Sequence, residues 1–417
     1  MDRREFLKTS AVVSLSCLVP GLSGWAYSPA AAAGGGGKSG SRKLIVVFLR
    51  GAADGLNIVV PYADQDYYRA RPTIAVNQPG KPDGCIDLDG TFGLHPVLKP
   101  LVSRWKEGSL AFVHASGSPD ATRSHFDAQD YMESGRPGVK TASSGWLNRM
   151  LQILPDNHSP IRAINVGSTM PRILQGPVSV ASYEPKRGGR PSVMDRPFVA
   201  SAFAGMYDGR KDALGEAFRE GVEGHNTLKE KLAEEMIAAD KGAPNVGNFK
   251  GFGQQLGSIF GKDRNTQIAF LALGGWDTHV NQGAGRGQLA NKLSVLGQGL
   301  ADLANGLGSQ YKDTVIMVVS EFGRTVKENG NGGTDHGHGN VIWMMGGPVR
   351  GGKVYGDWRG LDEKNLFEGR DLPVVVDFRE VIATVASNHL NLSSQEVARL
   401  LPGYALPSRK HTSDIIV

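Results

Sequence analysis

Gln267-Ile268-Ala269-Phe270-Leu271-Ala272-Leu273 and Thr314-Val315-Ile316-Met317-Val318-Val319 bracket a segment carrying Leu289, Leu293, Leu296, Leu300, Leu303 and Leu307. The two outer stretches are continuous apolar runs of strand length, the kind buried on both faces of a sheet. The leucines between them repeat at steps of 4, 3, 4, 3 and 4, which draws one apolar stripe along a helix. Strand, amphipathic helix and strand make a βαβ unit. Working outward, comparable runs stand at Lys43–Leu49, Leu110–His114, Ile161–Val166 and Val341–Met345, with helical patterns between several of them. The expected fold class is therefore α/β: a mostly parallel central sheet with helices on both faces.

The chain of 417 residues is 40% hydrophobic and 21% charged, which excludes disordered and fibrous classes. Glycine, at 56 residues, is about twice as frequent as usual but shows no G-X-Y period, so the excess belongs to turns and loops. A formal charge of +5 with no basic run interleaved with aromatics gives no footprint for nucleic acid.

Residues 1–33 read as an export signal. Arg3-Arg4-Glu5-Phe6-Leu7-Lys8 is a twin-arginine motif, Ala11 to Leu22 is apolar, and Ala30-Ala31-Ala32-Ala33 offers a cleavage site. The apolar stretch is too short for a stable membrane span, so the expected partners include the twin-arginine export machinery, and the expected location is periplasmic or secreted. Residues 34–42 form a flexible linker, and 43–417 a single domain with a polar helical insertion at about 205–245. Of the two cysteines, Cys17 goes with the signal, so Cys85 has no intrachain partner.

In an open parallel sheet, ligands bind outside the carboxyl ends of the strands. Asp54 follows the first run, Asp277 and His279 follow the fourth, and Glu321 and Arg324 follow the fifth. A glycine-rich loop carries Asp335-His336-Gly337-His338, and Thr122-Arg123-Ser124-His125 precedes a helix at Phe126 to Ser134. Four of the ten histidines thus fall in these segments. Imidazoles with carboxylates are the ligand set of zinc, manganese or iron. Asp277 and His279, two apart on an extended segment, point to one side and can share an ion; the competing use is a helix N-cap. Either His336 or His338 can face inward. Asp54 competes with a turn role, Glu321 with an ion pair to Arg324, and Ser124 with a plain N-cap. G-x-S-x-G, a Walker loop and H-E-x-x-H are all lacking.

Phe48 to Asn57, Arg123 to Asp130, Gly275 to His279, Ser320 to Thr325 and Gly333 to Gly339, in that order behind a twin-arginine signal, resemble the exported bacterial family called domain of unknown function 1501. That family is itself similar to the alkaline phosphatase and sulfatase superfamily. The resemblance implies an alkaline phosphatase-like fold and metal-dependent hydrolysis of phosphate or sulfate esters on an anionic small-molecule or glycan substrate. It implies one or two divalent ions, zinc or manganese, on Asp54, Asp277, His279, Glu321 and His336 or His338. Ser124 or Thr122 would be the nucleophile beside His125, with Arg50 or Arg324 holding the anion. Phe322 stands where the superfamily pattern has a histidine, which deprives one ion of an imidazole. A non-catalytic exported binding or accessory protein with a degenerate metal site is the alternative.

Overall fold

The computed structural model describes residues 42–156, 159, 161–167, 169–183, 240–241, 243–405, 407 and 411–417. The signal segment 1–33, the linker up to residue 41 and residues 205–239 of the expected insertion lie outside the described residues.

Among the described residues nine strands form the central sheet: β1 (Lys43–Leu49), β2 (Leu110–Gly117), β3 (Ala163–Val166), β4 (Ala181–Tyr183), β5 (Ile268–Leu273), β6 (Thr314–Ser320), β7 (Asn340–Met345), β8 (Lys353–Tyr355) and β9 (Val376–Asp377). Their order is β8-β2-β7-β6-β1-β5-β3-β4, and β9 pairs with β2. Every pairing is parallel except those of β7, which runs against both β2 and β6. Each apolar run of the sequence is a strand or most of one.

Because strand side chains alternate, β1 feeds two cores. Leu44, Val46 and Phe48 point to one face and Ile45, Val47 and Leu49 to the other, all buried. The helices that matter to the cores and the site are α1 (His125–Ser134), α2 (Trp146–Ile153), α3 (Phe249–Lys262), α4 (Gln288–Leu307), α5 (Phe378–Thr384) and α6 (Ser394–Leu400). The first core takes side chains from α2, α5 and α6, and the second takes them from α3 and α4. All six leucines of the α4 stripe are buried. At about 25 cal/mol per Å² of apolar surface, each contributes roughly 2 kcal/mol. Gly253 and Gly257 let α3 approach closely, since a Cβ there would stand 2.5 Å and 2.3 Å from the carbonyl oxygens of Gly299 and Leu303 on α4.

The direction of β7 decides which loops meet at the carboxyl edge of the sheet. Its first residues lie beside the carboxyl ends of its neighbours, so the loop that precedes it, 332–339, reaches the same sheet edge as the loops that follow β1, β2, β5 and β6. Among the described residues no helix is long and apolar enough to cross a membrane. Cys85 is free and buried, and burial pushes its thiol up to about 12.

Candidate metal centre

Four loops converge at the carboxyl edge of the sheet. His125 is the first residue of α1 after β2, Asp277 and His279 follow β5, Glu321 follows β6, and His336 lies in the loop before β7. Gly51, just past β1, allows the approach: its φ is +108°, and a Cβ there would stand 2.7 Å from the backbone nitrogen of Asp277.

At the centre, three imidazoles turn the same atom toward one another. His125 Nε2 and His279 Nε2 each lie 3.0 Å from His336 Nε2. Asp277 closes the group, with Oδ1 2.9 Å from His279 Nε2 and 3.5 Å from His336 Nε2, and Oδ2 3.6 Å from His125 Nε2. One ligand atom from each of His125, Asp277 and His336 lies within 4.8 Å of the others.

The far side of each ring is held as well. His336 Nδ1 is 2.9 Å from the carbonyl oxygen of Arg123, which only accepts, so Nδ1 carries a proton and Nε2 is the nitrogen turned toward the cluster. His125 Nδ1 is 2.8 Å from Glu321 Oε1. That carboxylate also accepts from the Gly51 N–H at 2.8 Å and from Gln129 Nε2 at 2.9 Å. Burial alone would raise Glu321, but hydrogen bonding and charge from His125, with Gln129, hold it at about 2. An ionised Glu321 places a proton on His125 Nδ1, so that Nε2 is the nitrogen turned toward the cluster. His279 Nδ1 faces Asp335 Oδ1 at 3.4 Å. Ligand histidines are oriented this way, by a carboxylate or carbonyl on the second ring nitrogen.

Two bare imidazole nitrogens 3.0 Å apart repel unless a proton or a cation stands between them. Burial also works against the Asp277 carboxylate, yet His125, His279, His336 and Arg324 together hold it far below the usual range. Its Oδ2 is buried and makes no hydrogen bond. The donor set, three imidazole nitrogens and one carboxylate, fits a divalent transition ion. Burial pulls His125 down, but Asp277 and Glu321 outweigh it and raise the ring to about 9.

The other expected site residues have different surroundings. Asp54 does not join the cluster. Arg71 holds it from two sides, Nη1 to Oδ2 at 2.6 Å and Nη2 to Oδ1 at 3.0 Å, and Gln282 Nε2 donates to Oδ2 at 2.6 Å, all fully buried. An aspartate whose oxygens are engaged by a guanidinium has no need of an ion. Glu321 faces His125 Nδ1 instead of the cluster centre, and so orients that ring instead of joining the donor set. His338 turns away, with its ring 4.6 Å from that of Phe367. Of the two histidines left open by the sequence, His336 is the inward one.

Arg324 is buried beneath Asp277 and donates to the carbonyls of Gly51, Ala52 and Thr334 as well as to Asp277 Oδ1. It holds the site together and is not free to grip a substrate. Arg50 is also buried, donating to Gln129 Oε1 and, at 2.6 Å, to Glu133 Oε1. Ser124 is the exposed N-cap of α1, and its side chain makes no capping hydrogen bond. Thr122 Oγ1 accepts from the Ser124 N–H at 3.2 Å. The Phe322 ring packs 4.9 Å from the His125 ring and 5.1 Å from the His336 ring and forms an apolar wall of the cluster.

Sequence reasoning singled out the Asp335-His336-Gly337-His338 loop but gave no role to Arg71, Gln282 or Gln129. Gln129, one helical turn after His125, is the one of these three that spacing signals.

No curated protein matches the chain. Among solved structures it is similar to Ps i-CgsB in complex with k-i-k-neocarrahexaose, at 10% identity and TM-score 0.40 over 86% of this chain and 74% of that one. It is also similar to the C-terminal periplasmic domain of EcEptC from Escherichia coli, at 10% identity and TM-score 0.38 over 89% of each chain. The lipooligosaccharide phosphoethanolamine transferase A (EptA) from Neisseria meningitidis aligns at 12% identity and TM-score 0.34, over 89% of this chain and 60% of that one. At the level of sequence the assignment is direct: with residues 41–401 matched, the chain belongs to the family described as "Protein of unknown function (DUF1501)".

Proposed function

We propose that the chain is an exported, metal-dependent hydrolase of phosphate or sulfate esters carried by an anionic small molecule or glycan. The observation that carries this reading is the convergence of His125, His279 and His336 through Nε2 onto Asp277, with an acceptor beside every Nδ1. His125, His279, His336 and Asp277 would hold one ion, zinc or manganese by the nitrogen-rich donor set. A divalent ion held there supplies positive charge for an ester oxygen and for a neighbouring hydroxyl. Ser124 is the proposed nucleophile, because its hydroxyl is exposed, free of capping and adjacent to a ligand. Glu321 fixes the tautomer of His125, and Arg324 fixes Asp277. The twin-arginine motif at Arg3-Arg4 supports export.

Elemental analysis of the natively exported protein tests the reading. We expect about one zinc or manganese ion per chain, lost in an Asp277→Ala/His279→Ala double variant. Ester hydrolysis should disappear in Ser124→Ala while the ion remains. A native protein without a bound transition metal overturns the proposal. The capture of Asp54 by Arg71 favours a second reading, a non-catalytic exported binding or accessory protein, because it removes a ligand for the second ion of a two-metal clamp. A metal-loaded protein inert toward every phosphate and sulfate ester of a broad panel would establish that reading instead.

A further inference from the structure

A second feature lies along α1. His125, Gln129 and Glu133 fall four residues apart and so share one stripe of the helix. His125 enters the histidine cluster, Gln129 donates to Glu321, and Glu133 binds Arg50. Glu133 is about 12 Å along the helix from His125 at 1.5 Å per residue, and it borders a cavity of about 230 Å³. The cavity opens where β3 ends, with Val166 and Gly167 in its wall, the usual position of a ligand crevice in an α/β sheet.

Its charges are unbalanced. Arg50, Arg172 and Lys241 line it against Asp130 and Glu133, three cations to two carboxylates. Arg50 and Glu133 are buried at its base and pair at 2.6 Å. At the half-exposed mouth, Lys241 and Arg172 share the single carboxylate of Asp130, at 2.8 Å and 3.4 Å. Arg50 Nε and Arg172 Nε are buried and make no hydrogen bond. Asn165, Thr169 and Gln175 add polar lining. Excess positive charge in a small polar cavity suits a compact oxyanion, which guanidinium and ammonium groups bind by charge-assisted hydrogen bonds.

We propose that this cavity is an anion site, separate from the histidine cluster, that takes a sulfate or phosphate group, free or carried on a larger molecule. Isothermal titration calorimetry on the full-length, metal-loaded protein tests it, with sodium sulfate, sodium phosphate and a monosaccharide sulfate in separate arms at ionic strength held constant with chloride. Saturable binding of one anion per chain is expected. Arg172→Gln and Lys241→Gln, both at the mouth and outside the core, should each weaken it about tenfold, the loss of one charge-assisted hydrogen bond, with metal content unchanged. The sugar arm decides whether a free or an attached group is preferred. The Asp277→Ala/His279→Ala variant separates this site from the cluster: binding that survives there but falls in Arg172→Gln supports the cavity. Binding lost in the cluster variant and kept in Arg172→Gln overturns it, as does heat no different from chloride alone. Neither outcome depends on whether the chain hydrolyses an ester.

Discussion

Asp54 and Asp277 make an instructive pair. Both are buried aspartates at the carboxyl edge of one sheet, each just past a strand adjacent to the other's. Arg71 and Gln282 engage both oxygens of Asp54. Asp277 has Arg324 and His279 on Oδ1 only, while Oδ2 makes no hydrogen bond and faces His125 at 3.6 Å. Arg71 and Gln282 leave neither oxygen of the first carboxylate free, whereas Arg324 holds only Oδ1 of the second and leaves Oδ2 beside the imidazole cluster. Burial and residue type do not separate a structural aspartate from a ligand. The difference lies in what already engages the second oxygen.

Breaking the self-sufficient pair should have the largest effect. Arg71→Met leaves a buried charge unpaired and should cost about 3–5 kcal/mol, read by urea unfolding, with the ion retained in the folded fraction. The Asp54→Leu/Arg71→Met double variant should recover most of that loss. If it does not, Asp54 has a role beyond its partner.

His114 sharpens the same contrast among imidazoles. Its Nε2 lies 3.1 Å from the Val59 carbonyl and its Nδ1 accepts from the Ala115 N–H at 3.0 Å, so neither nitrogen is open. Burial pulls His114 down to about 4, and it does the same to His95 and His389. These rings take up protons near pH 6.5 only when unfolded. The stability they contribute is therefore complete above about pH 6.5 and is lost as the pH falls toward about 4, by at most about 1.4 kcal/mol per pH unit for each ring. Melting curves across that window should fall steeply, and less steeply in His114→Gln. An identical slope would mean that His114 does not stay neutral in the folded chain.

Smaller effects probe the cluster. Glu321→Gln keeps the shape but loses the charge that orients His125, and should weaken the ion about 10- to 100-fold in a chelator competition without unfolding the chain. His338→Ala should leave ion content unchanged, because that ring packs on Phe367. A loss of metal in His338→Ala would reassign the inward histidine.

The strands and the α4 stripe were legible because apolar period and length report burial directly. Asp277, His279 and the His336/His338 loop were legible as post-strand polar residues. Arg71 was not: its guanidinium reaches Asp54 across 17 residues and donates to the carbonyls of Thr325 and Val326 more than 250 residues away, a contact no local pattern encodes. Nor does periodicity carry direction. The run at Val341–Met345 reads the same either way, although its reversal is what brings His336 to the site. Arg324 read as a substrate anchor because its position suits one; that it faces carbonyls below Asp277 depends on backbone that only the folded chain assembles.

The reversed β7 also bears on how the protein matures. Glu321, Arg324 and His336 lie on one antiparallel β6–β7 unit of nearby residues, which closes at low loop entropy. His125, by contrast, meets His336 across 211 positions of chain. The ligand set is complete only after the most distant contacts have formed, so an ion bound there stabilises the finished fold and not its precursors. On the proposed reading, metal occupancy would then serve as a record of complete folding.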